Sequence, residues 1–262
     1  MKNHFDNIYS NRAFKLRHPG DTLKDEIIFE LVQKFSDKNS GLMMLDVGCG
    51  MGHTSLLLSD ISSRFVGIDT SIEGIKIAKG IVRDDVLVAD CIRLPFQDEC
   101  FNIVVMKDVL VYINNDVQAI KEINRVLQTN GLLILYVPYS LYDSISFESI
   151  IKRVFGYSID KEIGFVRRYN IIELNDILDG FEIVKSFYFA HFLFGIISIF
   201  GVYYDKTKKS KIKKEKEEFN INKNLLNLLL VIIGFIKLVG KVEFLILRNI
   251  KGAGMFTIIR KK

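Results

Sequence analysis

The chain has 262 residues, a formal net charge of +5 and 49% hydrophobic residues, enough to bury the core of one large domain with an elaboration, or at most two domains. Three prolines, abundant Leu, Ile, Val and Phe, and no fixed-period repeat exclude collagen-like, solenoid and disordered classes. Three cysteines, Cys49, Cys91 and Cys100, lack the spacing of a metal centre or a disulfide framework, so free thiols in a reducing cytosol and no metal are expected.

Met1 to Arg17 is polar and has no apolar run of the secretory type. "DTLKDEIIFELVQKF" then reads as an amphipathic helix capped by Asp21 or Thr22. The next hundred residues alternate buried strands with helices: "LMMLDV", "RFVGID", "DVLVAD", "FNIVVM" and "GLLILYV" as strands. In "DVQAIKEINRVLQTNG" the residues Val117, Ile120, Ile123, Val126 and Leu127 form one apolar helix face, with Gly131 past its end. This alternation predicts an α/β fold, a mostly parallel sheet with helices on both faces.

In "LDVGCGMGH" three glycines stand at alternate positions after the first strand. In an open α/β sheet the ligand lies beyond the carboxyl ends of the strands, and the first strand-to-helix turn approaches it most closely. Gly48, Gly50 and Gly52 remove the Cβ atoms there and permit positive φ. The spacing is GxGxG rather than the GxGxxG of nicotinamide enzymes, and Asp46 adds a negative charge that suits a cationic ligand, an amine or a sulfonium, better than a pyrophosphate. Asp69 ends the second strand about 20 residues after the first glycine, where a carboxylate can accept from ribose hydroxyls. Asp90 ends the third, where it can accept from an adenine amine beside Cys91 and Ile92. One such aspartate is ordinarily a turn former or helix cap; three at successive strand ends suggest a shared ligand.

"LDVGCGMG", "GIDTS", "ADCIRLPF", "FNIVVMKDVLVYI" and "EINRVLQTNGLLILYVP", spanning about residues 40 to 140, together resemble the class I S-adenosylmethionine-dependent methyltransferases. The resemblance implies a Rossmann-like, doubly wound seven-stranded sheet with an antiparallel last strand, and S-adenosyl-L-methionine as cofactor. It implies that Asp46, Gly48, Cys49, Gly50 and Gly52 line the methionine end, Asp69 and Thr70 the ribose, and Asp90 and Cys91 the adenine. Lys107 and Asp108 would face the methionine part or the substrate. Tyr112 stands where many relatives carry a histidine, and Phe165 near another such position. For a hydroxyl acceptor Tyr112, His18 and His191 are the candidate bases, the two histidines having a structural role as the alternative. Arg167 and Arg168 could bind an anionic substrate group, or simply pair with nearby acids.

The second half is larger than this fold needs. "GFEIVKSFYF" and "GMFTIIR" are expected as antiparallel neighbours at one sheet edge, yet roughly 60 residues separate them. The intervening stretch starts with the uncharged "AHFLFGIISIFGVYY" and continues with "KTKKSKIKKEKEE", seven lysines against three glutamates. It ends with "NLLNLLLVIIGFIKLVGKVEFLILR", where Asn227, Gly234, Lys241 and Arg248 recur every seventh position. The organisation expected is an N-terminal helical segment over the cofactor site (1–40), a Rossmann-like domain (41–189 and 253–262), and an inserted apolar and basic cap (190–252). A 15-residue helix rises only about 22 Å, short of the roughly 30 Å of a bilayer core. The insert is therefore expected to lie in a membrane interface, its lysines at anionic headgroups; a buried cap and a transmembrane hairpin are the alternatives. The lysine run lacks the interleaved aromatics of a nucleic-acid surface.

These features predict a cytoplasmic, membrane-associated methyltransferase, peripheral at the inner face of the cell membrane, with a lipidic or lipid-linked acceptor. A soluble small-molecule or sugar methyltransferase with the insert as a lid, and a non-catalytic S-adenosylmethionine-binding module, are the alternatives.

Overall fold

The structure, a computed structural model, describes residues 19–35, 41–82, 85–193, 195–196 and 223–262. His18, the lysine run and most of the first apolar stretch of the insert lie outside the described residues.

Helix α1 (Pro19–Phe35) includes two residues ahead of the expected caps. It buries Leu23, Ile27, Ile28, Leu31 and Val32, the stripe that a 3.6-residue period turns toward the core. Strands β1 (Met43–Val47), β2 (Arg64–Asp69), β3 (Asp85–Val88) and β4 (Phe101–Lys107) alternate with helices α2 (His53–Ser59) and α3 (Ile72–Ala78). Helix α4 (Asp116–Val126) runs directly into β5 (Leu127–Pro138), and the short helices α5 (Phe147–Phe155), α6 (Asp160–Ile163) and α7 (Ile171–Ile177) follow. Strand β6 (Phe181–Phe189), helix α8 (Lys223–Leu247) and strand β7 (Gly254–Lys261) complete the described elements.

The seven strands form one sheet in the order β3-β2-β1-β4-β5-β7-β6, parallel except for β7, which runs antiparallel to both neighbours. Alternate residues feed two cores: Leu45, Val104, Met106 and Leu135 on one face, Met44, Ile103, Val105 and Ile134 on the other with the apolar stripe of α1. Both faces are covered, which is why these strands read as continuous apolar runs. From β1 the chain winds outward to β3 and returns on the far side of β1 to β4. The order reverses between β1 and β4, and a ligand crevice opens at their carboxyl ends.

The structure differs from the sequence expectations at several points, the first being that β3 stops at Val88 and not at Asp90. Strand β5 begins at Leu127, not Gly131, because Leu127 pairs with Phe101 before a bulge and is fully buried. Val117 is 42% exposed, so the buried face of α4 is Ala119, Ile120, Ile123 and Val126. The seven-residue recurrence in α8 is not one buried stripe: Gly234 and Arg248 are exposed, whereas Lys241 pairs with Glu30 and Lys237 with Glu26 of α1, and Phe244 packs on Phe187, Phe189 and Phe256. Among the described residues no helix is long and apolar enough to cross a membrane.

The two ends of the insert lie at the ligand edge. Phe189, the last residue of β6, pairs with Gly254, the first of β7, and Gly254 pairs with Pro138 at the end of β5. His191, expected as base or structural residue, is 1% exposed, with Nε2 2.6 Å from the Ile250 carbonyl oxygen. Glu243 of α8 accepts from the backbone N–H groups of His191, Phe192 and Leu193. His191 thus ties the two ends of the insert together, the structural role.

Candidate active site

The carboxyl edge is organised by the turn between β1 and α2. Gly48, Gly50 and Gly52 all have positive φ, at 76°, 54° and 83°. A Cβ on Gly48 would lie 2.1 Å from Cγ2 of Val109, and one on Gly52 would press on Val82 and on the backbone of Ala78. Both positions therefore require glycine for conformation and for space. The Gly48 and Cys49 N–H groups donate to the carbonyl of Ile68, which holds the turn beside the end of β2.

Asp69 fixes the same turn from the other side. Its carboxylate accepts from Gly50 N at 2.9 Å and from Ser71 N at 2.8 Å, while the Ser71 hydroxyl caps α3 by accepting from Gly74 N. Asp90 is exposed two residues beyond β3 and accepts from Ile92 N; Cys91 beside it is buried. Asp46 thus lies next to the last residue of β1 and Asp69 ends β2, whereas Asp90, expected to end the third strand, stands in the loop beyond β3, which stops at Val88; Thr70, half-buried, follows Asp69. Burial pushes the Cys91 thiol up to about 12 and the Cys49 thiol higher still, so both stay protonated. Among the described residues no group of His, Cys, Asp and Glu has the arrangement of a metal site.

Asp46 is 2% exposed and accepts from the Ser55 hydroxyl at 2.7 Å. Burial raises its carboxyl from 3.8 to about 6, against the opposing pull of the Ser55 bond and Lys107. A raised folded-state value means that the folded protein keeps this proton while the unfolded chain releases it. The stabilising contribution is complete below about pH 4 and is lost as pH rises through 6. The parent should thus lose about 3 kcal/mol relative to Asp46→Asn over that interval, from 1.36 kcal/mol per pKa unit. Urea denaturation of both proteins from pH 4 to 8 measures it; parallel stability curves would show an Asp46 carboxyl that titrates normally.

The end of β4 meets α1 through two crossed ion pairs. Lys24 pairs with Asp108 and Asp25 with Lys107. Asp25, 0% exposed, also accepts from the Thr54 hydroxyl at 2.7 Å. Lys24 reaches Asp21 at 2.9 Å and lies 4.8 Å over the ring of Tyr136. Burial alone would lower the Lys24 ammonium, but Asp108, Asp21 and Tyr136 hold it well above its ordinary value. Asp108 sits at φ 57°, a conformation sparse for a non-glycine residue. Sequence reasoning found Lys107 and Asp108 and missed Lys24, Asp25, Thr54 and Ser55. A signal existed for Asp25, which falls in helical register with Ile28 and Val32, and an acid in an apolar stripe implies a buried partner.

Tyr112 and Phe165 come together, their rings edge to face at 5.3 Å, joined by the bond from Val166 N to the Val111 carbonyl. Both arginines are paired with acids. Arg167 donates to Asp116 and the Asn114 carbonyl, and Asp116 also accepts from the Tyr169 hydroxyl. Arg168, with 9% of its side chain exposed, bridges Glu148 and Asp160. A separate cleft of about 200 Å³ lies at the amino ends of β1, β4 and β5, lined by Phe35, Asn102, Gln128 and Arg260 among others. Among the described residues it is lined by no acid, and so does not match a cationic ligand.

The edge between β1 and β4 does match one. It combines a bare positive-φ turn, a buried carboxylate whose nearest bonded partner is a neutral hydroxyl, and acids at the end of β2 and just beyond β3, which suits a sulfonium nucleoside with an amino-acid tail. The methyltransferase domain pattern matches residues 45–135. An uncharacterised protein of Methanocaldococcus jannaschii is 32% identical over 211 residues, covering 75% of this chain and 85% of that one. The sterol 4-C-methyltransferase strm-1 of Caenorhabditis elegans is 33% identical over 99 residues, 35% of this chain and 30% of that one. Among solved structures, the YcgJ protein of Bacillus subtilis shares the fold with a TM-score of 0.57 at 16% identity, covering 90% of this chain and 98% of that one.

Proposed function

Because the chain belongs to the class I S-adenosylmethionine-dependent methyltransferases, we propose that it methylates a lipidic or lipid-linked acceptor at a membrane surface. One observation carries the acceptor class: α8 is apolar on its outer side. Val231, Phe235, Leu238, Leu245 and Ile246 are each more than half exposed, while Lys237 and Lys241 lie on the side toward α1, paired with Glu26 and Glu30. A helix that met only water would present the opposite face. This outer face belongs to a segment that leaves and rejoins the sheet at the carboxyl edge, the edge that also carries the glycine turn. The 99-residue likeness to a sterol methyltransferase supports the same class.

In this reading Gly48, Cys49, Gly50 and Gly52 lie against the methionine end of the cofactor, with Asp46 as its buried counter-charge. Asp69 and Thr70 take the ribose, Asp90 and Cys91 the adenine, and Lys107 and Asp108 the methionine tail. The bound sulfonium supplies an already activated methyl group, so the protein's task is alignment and exclusion of water. Where the acceptor is a hydroxyl, Tyr112 would hold its proton.

Flotation of the protein with anionic and neutral liposomes, in the presence of labelled S-adenosylmethionine, tests the proposal. Flotation with anionic vesicles and label in the lipid phase is the expected result. A protein that binds the cofactor yet stays at the bottom of the gradient would overturn the lipid acceptor and send the search to soluble metabolites.

A further inference from the structure

Helix α5 is inside out in the same sense as α8. Its inner side is polar: Ser149 is fully buried, and Glu148 is buried in its ion pair with Arg168. Its outer side carries Ile150, Val154 and Phe155, the last two 66% and 72% exposed. The preceding loop adds Tyr142 and Ile145 to this surface at 73% and 59%. Arg153 fixes that loop by donating to the carbonyls of Tyr142 and Ser144, and the Lys152 ammonium lies 5.4 Å over the Tyr142 ring.

This surface is stitched to the insert. Phe147 N donates to the His191 carbonyl and Ile145 N to the Lys251 carbonyl, so α5 is bonded to the chain at both ends of the insert. It also follows β5 at the carboxyl edge.

We propose that α5 and the Tyr142–Ile145 loop form a second docking point for an anionic lipid surface. The inference rests on the membrane reading of α8 and extends it to an element of the sheet domain. Charge favours lipid over a protein partner: Lys152 and Arg153 border the apolar side chains in the last turn of the helix, Lys251 stands exposed at the junction with the insert, and Glu148 is buried beneath the surface, leaving Asp143 as the exposed acid of the segment 142–157. A single apolar contact with a membrane is weak and reversible, whereas two contacts on one rigid body bind firmly. Two contacts also fix orientation, here with the carboxyl edge toward the bilayer.

The test is partition of the full-length protein onto phosphatidylserine-containing phosphatidylcholine vesicles. It compares the parent, Val154→Ser/Phe155→Ser, and Leu238→Ser/Ile246→Ser in α8. All four positions are exposed, and cofactor affinity and circular dichroism report that each variant is folded. The expected result is a loss of partition of at least tenfold for the α5 variant, with cofactor affinity unchanged. A parent that binds vesicles and an α5 variant that binds equally well would overturn the second docking point and leave the α8 reading standing. A parent that binds no vesicles would overturn both. An α5 variant that changes only its mass in solution would show that the patch covers a second copy of the chain, and would likewise overturn the proposal.

Discussion

Substituting Asp25 by alanine should lower the unfolding free energy by about 3 to 5 kcal/mol, the cost of breaking one partner out of a buried ion pair. The carboxylate is 0% exposed and serves two donors, Lys107 on β4 and Thr54 on α2, so its removal strands a lysine with 17% of its side chain exposed and a buried hydroxyl. Lys107→Met should be at least as damaging, because the charge then left behind is fully enclosed. The double variant Asp25→Ala/Lys107→Met should recover a large part of the sum, since neither charge remains to be solvated. Urea denaturation of the four proteins gives the cycle. A coupling below about 0.5 kcal/mol would mean that the two groups act independently in the folded protein. Cofactor affinity should fall in both single variants, because this pair and Lys24–Asp108 hold α1 at the mouth of the β1–β4 crevice.

How far the molecule could be read from its sequence depended on whether a signal was local. The segment "RFVGID" coincides with β2 because a short apolar run bounded by a charged residue and a turn former specifies its own ends. The GxGxG turn and the acids behind it were legible for the same reason, since backbone conformation and strand end are set within a few residues. The start of β5 was not. Gly131 looks like a helix stop, yet the helix ends at Val126 because Leu127 finds a partner in Phe101, 26 residues earlier, and no local rule contains that pairing. The crossed pairs of α1 escaped for a similar reason: helical periodicity marks Asp25 as inward-facing but does not name Lys107. In α8 the seven-residue recurrence was visible, yet of its described members Lys241 meets α1 while Gly234 and Arg248 stay exposed. Periodicity shows that a helix has two faces. Which face turns inward is decided by what it meets, here Glu26 and Glu30.

Asp69→Ala should weaken S-adenosylmethionine binding tenfold or more, from about 1.5 to 3 kcal/mol for a hydrogen bond to a charged group. Two contributions lie behind that number and can be separated. The carboxylate accepts from Gly50 and Ser71, so it orders the glycine turn and the start of α3 before any ligand arrives. A carboxylate also has about four acceptor sites, and in the proposed site it receives the ribose hydroxyls as well. A cofactor analogue lacking those hydroxyls distinguishes the two by calorimetry. If the parent prefers the natural cofactor and Asp69→Ala binds both ligands alike, Asp69 is the ribose acceptor. If the variant loses the same factor for each ligand, it acts through the turn alone and the ribose contact lies elsewhere on the edge. Asp69→Asn sharpens the distinction, because an amide places a donor against one of two backbone N–H groups, and the turn must open to relieve that conflict. Unchanged affinity in every variant would remove the end of β2 from the site altogether.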